Sequence, residues 1–284
     1  MSNTVMTPNE YINHHLINFS LPFVKQTKLI DFSFTNLDTI FFTVLIGTLV
    51  CFFLWRTAKR STSGVPSRFQ AAVEILFEFV DGSCREMIHN AQSRKALAPL
   101  GLVLFVWIFF MNAMDLLPVD LLPWAWQEIQ RNPQAHLRVV PTADVNTALA
   151  LAISVLLLCF YYSIKIKGVK GWIHELKSAP FGSNLLLIIP NFLMNVIEYI
   201  SKTLSHGMRL WGNLYAGEIV FMVIALLGGA CKSSRGFFAN GSLFTLHVIL
   251  GLAWAIFHIL IIALQAYLFM ILAFVYIGQA HDAH

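Results

Sequence analysis

Residues 201–227 read SKTLSHGMRLWGNLYAGEIVFMVIALL, an apolar run that nonetheless carries Arg209, Asn213 and Glu218. The run belongs to a longer apolar stretch, 184–230, and a second one follows at 243–277. If wholly helical, these would measure roughly 70 Å and 50 Å, against about 30 Å of hydrocarbon in a bilayer. Such segments belong in a membrane, and they must either tilt steeply or break. Pro190 permits a kink or a start in the first of them.

Composition points the same way. The chain of 284 residues is 57% hydrophobic and 12% charged, with a mean hydropathy of +0.67. It has 24 Phe against 19 Lys and Arg and 15 Asp and Glu, too few charges to cover a water-soluble body of this size. This argues against a soluble enzyme. The net charge of +4 does not mark a nucleic-acid binder, because the basic residues flank the apolar runs. Cys51, Cys84, Cys159 and Cys231 are widely spaced, form no CxxC pair and read as inert filler. His14 and His15 stand in a polar tail, and neither HExxH nor a Cys/His cluster occurs, so no metal site is expected. A P-loop and a GxGxxG are likewise missing, so no nucleotide site and no cofactor are expected.

The remaining spans follow from length and flanking charge. Residues 37–55, LDTIFFTVLIGTLVCFFLW, have the length of one crossing and are followed by Arg56, Lys59, Arg60 and Arg68. The positive-inside bias puts that end in the cytoplasm and residues 1–36 outside, with no removable signal peptide expected ahead of them. Residues 66–95 show apolar positions at helical spacing, interrupted by Glu74, Glu78 and Asp81. They predict an amphipathic helix on the cytoplasmic surface, its apolar stripe against either lipid or protein. A second span is expected at 97–117 and an external loop at 118–141, where prolines 118, 123, 133 and 141 argue against one continuous helix. A third span at 143–163 leads into Lys165, Lys167, Lys170 and Lys177, a second basic cluster on the side already assigned to the cytoplasm. With 184–230 and 243–277 the total is five spans plus a surface helix, an all-α polytopic protein forming one membrane domain over 1–284. Parity of the spans places the link between the last two outside and the C-terminus inside.

Polar residues inside these spans carry the chemistry. A guanidinium at hydrocarbon depth costs roughly 2.5–3.5 kcal/mol by insertion scales and marks a protein-lined ion path or a partner carboxylate. Arg209 stays charged almost anywhere, so it does not relay protons. It attracts and discharges a partner carboxylate and blocks direct proton passage. The alternative is a structural Arg paired with a buried acid or reaching the headgroups. At 100° per residue, Lys202, Ser205, Arg209 and Asn213 share one face, and Glu218 points to the opposite one. Gly207, Gly212 and Gly217 thin the helix, either for water or for ordinary close packing.

On the last span, His258, Gln265 and Tyr276 fall on nearly one face. His258 is the one group there whose unperturbed side-chain type allows proton exchange near neutrality, and Glu218 would share a proton with it through water if the two helices pack face to face. A satisfied structural histidine is the competing reading. Asn112, Asp115, Asp120, Asp144 and Asn146 add polar groups on the outer side, where acids concentrate cations, or else serve as helix caps. Asn195, Glu198 and Lys202 are the inner candidates, nearly aligned with Arg209, although Glu198 and Lys202 also form a self-neutralising i,i+4 pair.

The chain resembles subunit a of the F-type ATP synthase membrane sector, of gammaproteobacterial type. SHGMRLWGNLYAGE (205–218) looks like the family's signature around its essential arginine, and WAIFHILIIALQAYLFMILAFVYI (254–277) like its final helix. FMNAMDLLPVDLLP (110–123), LRVVPTADVNTALALA (137–152) and YYSIKIKGVKGW (161–172) match further family stretches, so the resemblance covers nearly the whole chain.

The resemblance implies a proton-translocating stator subunit of the bacterial inner membrane, assembled with a c-subunit ring and a b-subunit dimer into the F1Fo complex. Protons would enter from the periplasm by an aqueous half-channel, neutralise a rotor carboxylate, travel with the ring through lipid and leave by a second, offset half-channel. By motif match Arg209 faces the ring and separates the half-channels. Asn213, Glu218, His258 and Gln265 match the periplasmic path, and Asn112, Asp115 and Asp120 its outer vestibule. The family's two long helices lie tilted against the ring. Two departures stand out: Asn195 replaces an acid usual about fourteen positions before the arginine, with Glu198 nearby, and Thr203 replaces the proline of a Ser-Lys-Pro stretch. The link 228–243 is also longer than the family's usual one. A Na+-coupled version of the same subunit stays open, as does a secondary transporter binding an anionic solute at Arg209, although no internal repeat of the transporter kind is found.

Overall fold

The computed structural model describes residues 19–21, 35–62, 64–118, 121–131, 137–182, 184–230 and 237–281. Asp120, the centre of the 228–243 link and most of the 1–36 segment lie outside these residues. Among the described residues there are seven α-helices: α1 Leu37–Lys59, α2 Arg68–Met87, α3 Ala91–Ala113, α4 Leu121–Gln130, α5 Val145–Ser178, α6 Ile188–Ala230 and α7 Phe237–Gln279. The one sheet among them is a two-residue antiparallel pair, β1 Ser20–Leu21 with β2 Thr35–Asn36, in the register Ser20 to Asn36. The protein is thus an all-α polytopic membrane protein, with five helices long and apolar enough to cross a bilayer.

Several boundaries differ from the sequence expectation, each for a local reason. The helix expected over 66–95 starts after Ser67, whose hydroxyl accepts the Gln70 amide N–H, and stops at Met87. The Asn90 side chain then accepts the N–H groups of Gln92 and Ser93 and starts α3, ahead of the expected 97–117 span. α3 closes with a 3-10 turn at Met114–Leu116, just before Pro118. Within the expected loop 118–141 lies the ten-residue α4, which tolerates Pro123 because a proline in the first turn has no intrahelical bond to lose. α5 runs past the expected end at 163 and kinks at Gly168, where φ is 70° and ψ 162°, a conformation that favours glycine. Up to that kink it measures about 34 Å, a single crossing.

The last two helices, expected at 184–230 and 243–277, are unbroken rods of 43 residues each, about 65 Å long. A rod of that length does not stand upright inside about 30 Å of hydrocarbon. Pro190 is absorbed as the third residue of α6, again within the first turn.

The contacts divide into two compact units, and α6 and α7 contribute residues to each. Unit 1 comprises residues 1–47, 108–147 and 211–265; unit 2 comprises 48–107, 148–210 and 266–284. The apolar core of unit 2 joins Val80, Cys84 and Ile88 with Leu97, Ala98 and Leu102 of α3, Tyr162 of α5 and Met270, Phe274 and Ile277 of α7. The stripe of α2 therefore packs on protein along Val80 and Cys84, while Phe69 and Ile75 stay exposed. Gly101 is required in that core, because a Cβ there would lie within 2.1 Å of the Phe274 ring. In unit 1, Val140, Ala143 and Leu214 form a smaller apolar cluster beside Met114 and Ile261.

Candidate ion-path residues

Unit 1 holds a buried network of compensated charges. Asp38, at the start of α1, accepts backbone N–H groups from Phe19 at 2.9 Å, Thr39 at 2.8 Å and Arg138 at 3.0 Å. That last bond fixes the extended segment leading to α5 and with it the Arg138 side chain. The guanidinium lies 2.6 Å from Glu218 Oε2 on α6, with both side chains about nine-tenths buried. Burial opposes the charged guanidinium, but the adjacent Glu218 carboxylate outweighs it and raises the Arg138 pKa above the usual arginine value. Asp144 accepts the Asn146 amide N–H at 3.0 Å, as the capping reading expects, and its other oxygen accepts Asn36 Nδ2 at 2.7 Å.

His258 on α7 is fully buried, with Nε2 2.6 Å from Asp115 Oδ2. The two atoms are at ion-pair distance without the alignment of a hydrogen bond. Gly217 makes room for the ring: a Cβ there would stand 2.2 Å from His258 Cε1. The acid facing His258 is therefore Asp115, and Glu218 has Arg138 as counter-charge, a pairing the helix-face argument did not reach. A cavity of about 40 Å³ touches Asp115, Arg138 and Glu218, room for one to three waters. Asn112 is fully buried, and neither its oxygen nor its nitrogen has a protein partner among the described residues. Gln265 is buried as well, whereas Asn213 is exposed.

Unit 2 holds the other expected residues around a cavity of about 950 Å³. Asn195, Glu198, Lys202 and Tyr276 line it, together with Lys167, Glu175 and His206, which the sequence reading did not single out. Lys202 Nζ lies 2.5 Å from Glu198 and 2.7 Å from Gln279 Oε1, and 5.6 Å over the Tyr276 ring. Lys167 pairs with Glu175 at 2.7 Å. Tyr276 thus groups with Lys202; although it shares a helix face with His258, eighteen residues separate them by about 27 Å along the axis.

Asn195 Nδ2 donates to the backbone oxygens of Ala179 and Asn191, both at 2.9 Å. A carboxylate has no proton to donate, so this geometry accounts for an amide at position 195. Arg209 is exposed, and its guanidinium reaches Ser205 Oγ at 3.4 Å. Among the described residues no carboxylate lies within ion-pair distance of it.

Five membrane-length helices with paired charges in the interior of one unit and a large polar cavity in the other define a polytopic membrane protein built around ionisable groups. The family model described as ATP synthase A chain matches residues 40–278, and the chain belongs to that family. It is similar to an ATP synthase subunit a of Acidovorax sp. (strain JS42), 58% identical over 285 residues, covering 98% of this chain and 97% of the relative. It is also similar to those of Paracidovorax citrulli (strain AAC00-1), 54% identical, and Verminephrobacter eiseniae (strain EF01-2), 55% identical, with the same coverage. These relatives support a bacterial member of the family and do not single out the gammaproteobacterial type.

Proposed function

We propose that the chain is the proton-translocating stator subunit of an ATP synthase Fo sector in the bacterial inner membrane. It works beside a c-subunit ring and a b-subunit dimer in the F1Fo complex, with its N-terminus periplasmic and its C-terminus cytoplasmic. The observation that carries this reading is Arg209, an exposed guanidinium within an unbroken 43-residue apolar helix, with Ser205 Oγ as its contact. A charge held at that cost without a counter-ion among the described residues serves a carboxylate brought by another subunit.

In this scheme unit 1 supplies the entry route. Asn112, Asp115 and Asp120 form its vestibule, and His258, Glu218, Asn213 and Gln265 pass the proton toward the rotor. Arg138 stands 2.6 Å from Glu218 as its counter-charge, and Asp115 lies at the same distance from His258 Nε2. Unit 2 supplies the exit route, its cavity lined by Glu198, Lys202 and Tyr276, with Ser205 beside Arg209 and Asn195 holding the turn. Arg209 separates the two routes electrically, because a hydrated proton is repelled by the fixed positive charge whereas a rotor carboxylate is attracted to it. The two long helices lie tilted along the ring, and α2 lies at the cytoplasmic surface.

The test is ATP-driven proton pumping in inverted vesicles carrying the assembled complex. Arg209→Ala abolishes pumping, and His258→Ala impairs it less completely. Coupled pumping retained in an assembled Arg209→Ala complex rejects the assignment.

A further inference from the structure

His206 stands one turn before Arg209 on α6, only 3% exposed and lining the large cavity of unit 2. Its ring packs edge-on to Phe269 at 3.9 Å and lies 5.6 Å from Tyr276, while the Phe269 backbone hydrogen-bonds it. Nε2 is buried and has no hydrogen-bond partner among the described residues. Leaving a ring nitrogen dry and unpaired is costly, so a nitrogen of this kind beside a polar cavity marks a place where water or a proton is received. At about 950 Å³ the cavity has room for tens of waters.

We propose that His206 is the proton relay of the exit route, taking the proton released at Arg209 and handing it to the water of the unit 2 cavity. This rests on the reading of that cavity as the exit. The neutral imidazole accepts the proton of the rotor carboxylic acid on Nε2 through cavity water, and the rotor is left as a carboxylate facing Arg209. The imidazolium then returns the same proton to cavity water, and no group ends changed. The charged groups bordering its route are Arg209, Lys202 and Glu198 on α6 and Lys167 and Glu175 on α5. Arg209, one turn away, repels the imidazolium and shortens its life, while Glu198 and Glu175 attract the departing proton. An aromatic ring alone would satisfy the packing against Phe269 and Tyr276, so the nitrogen needs a separate reason.

The experiment measures passive proton conduction through the assembled complex in inverted vesicles. His206→Phe keeps a ring against Phe269 and Tyr276 and lowers conduction at least about a hundredfold, the low side of what a positioned acid–base group contributes. His206→Ala lowers it similarly, and added imidazole restores it by entering through the cavity. Wild-type conduction in His206→Phe, or an assembled His206→Ala complex indifferent to imidazole, overturns the proposal. A separate arm tests the exit reading: Glu198→Cys, in a background with the four native cysteines replaced by alanine, is treated with a small charged thiol reagent. Block of conduction upholds the cavity as the path. No block removes that reading and the relay with it, whereas block together with normal conduction in His206→Phe overturns the relay alone.

Discussion

Gly217→Ala adds a single methyl group at the point where α6 meets His258. The new Cβ would stand 2.2 Å from Cε1 and 2.8 Å from Nδ1. Ordinary carbon contacts begin near 3.5 Å, so the imidazole or the helix must yield by about 1.3 Å. The ring has little room to retreat, since it is fully buried with Phe221 at 5.1 Å and Trp254 at 6.2 Å. Overpacking of this kind costs about 1–3 kcal/mol. The movement also shifts Nε2 relative to Asp115, now 2.6 Å distant, and a misplacement of about 1 Å costs on the order of 100-fold in a proton-transfer step. The assay is proton-driven ATP synthesis in vesicles, normalised to the amount of assembled complex. Gly217→Ala loses about two orders of magnitude per complex. Adding His258→Ala opens the space again, so assembly recovers while synthesis stays low. Normal synthesis by an assembled Gly217→Ala complex would refute the claim that the imidazole and Asp115 act at their observed separation.

Arg138→Ala breaks a buried ion pair by taking one charge from it and destabilises the protein by about 3–5 kcal/mol, read as lower assembly and lower thermal stability. Arg138→Ala with Glu218→Gln removes both charges of the pair, so assembly recovers without restoring proton transport; a double variant no better assembled than the single one contradicts the pairing. Burial, with Asp81 nearby, pushes the Cys84 thiol up to about 11. Because the folded-state value lies above the ordinary 9.0, the thiol's contribution to stability is complete below pH 9 and fades as pH rises toward 11. Alkylation at pH 8 is accordingly slow in the folded protein and fast after denaturation, and equal rates would count against a buried thiol.

Hydropathy and flanking charge were enough for the five crossings, because length and apolarity are properties of contiguous sequence. Helix ends were less legible. The stop at Met87 and the restart at Asn90 depend on one side chain accepting two backbone N–H groups, and the α5 kink depends on the φ of Gly168. The polar residues of α6 and α7 stood out because lipid makes each of them costly. Their partners did not, since Arg138 and Asp38 are about a hundred positions apart and Asp115 reaches His258 only through the fold. A lone arginine in the apolar stretch LRVVP was the available signal for Arg138. His206 was hidden beside Arg209, and only its burial and its unpaired nitrogen distinguish it. Lys167 was read as flanking charge, a role that sequence does not separate from lining a cavity, and Glu175 was not read at all.

The central claim is that the exposed guanidinium of Arg209 couples proton flow to the rotor. Its most direct test is proton-driven ATP synthesis by vesicles carrying the assembled complex, wild type beside Arg209→Ala, with assembly verified in each. The account predicts loss of synthesis in a fully assembled variant. Undiminished synthesis would contradict it and return Arg209 to a structural role.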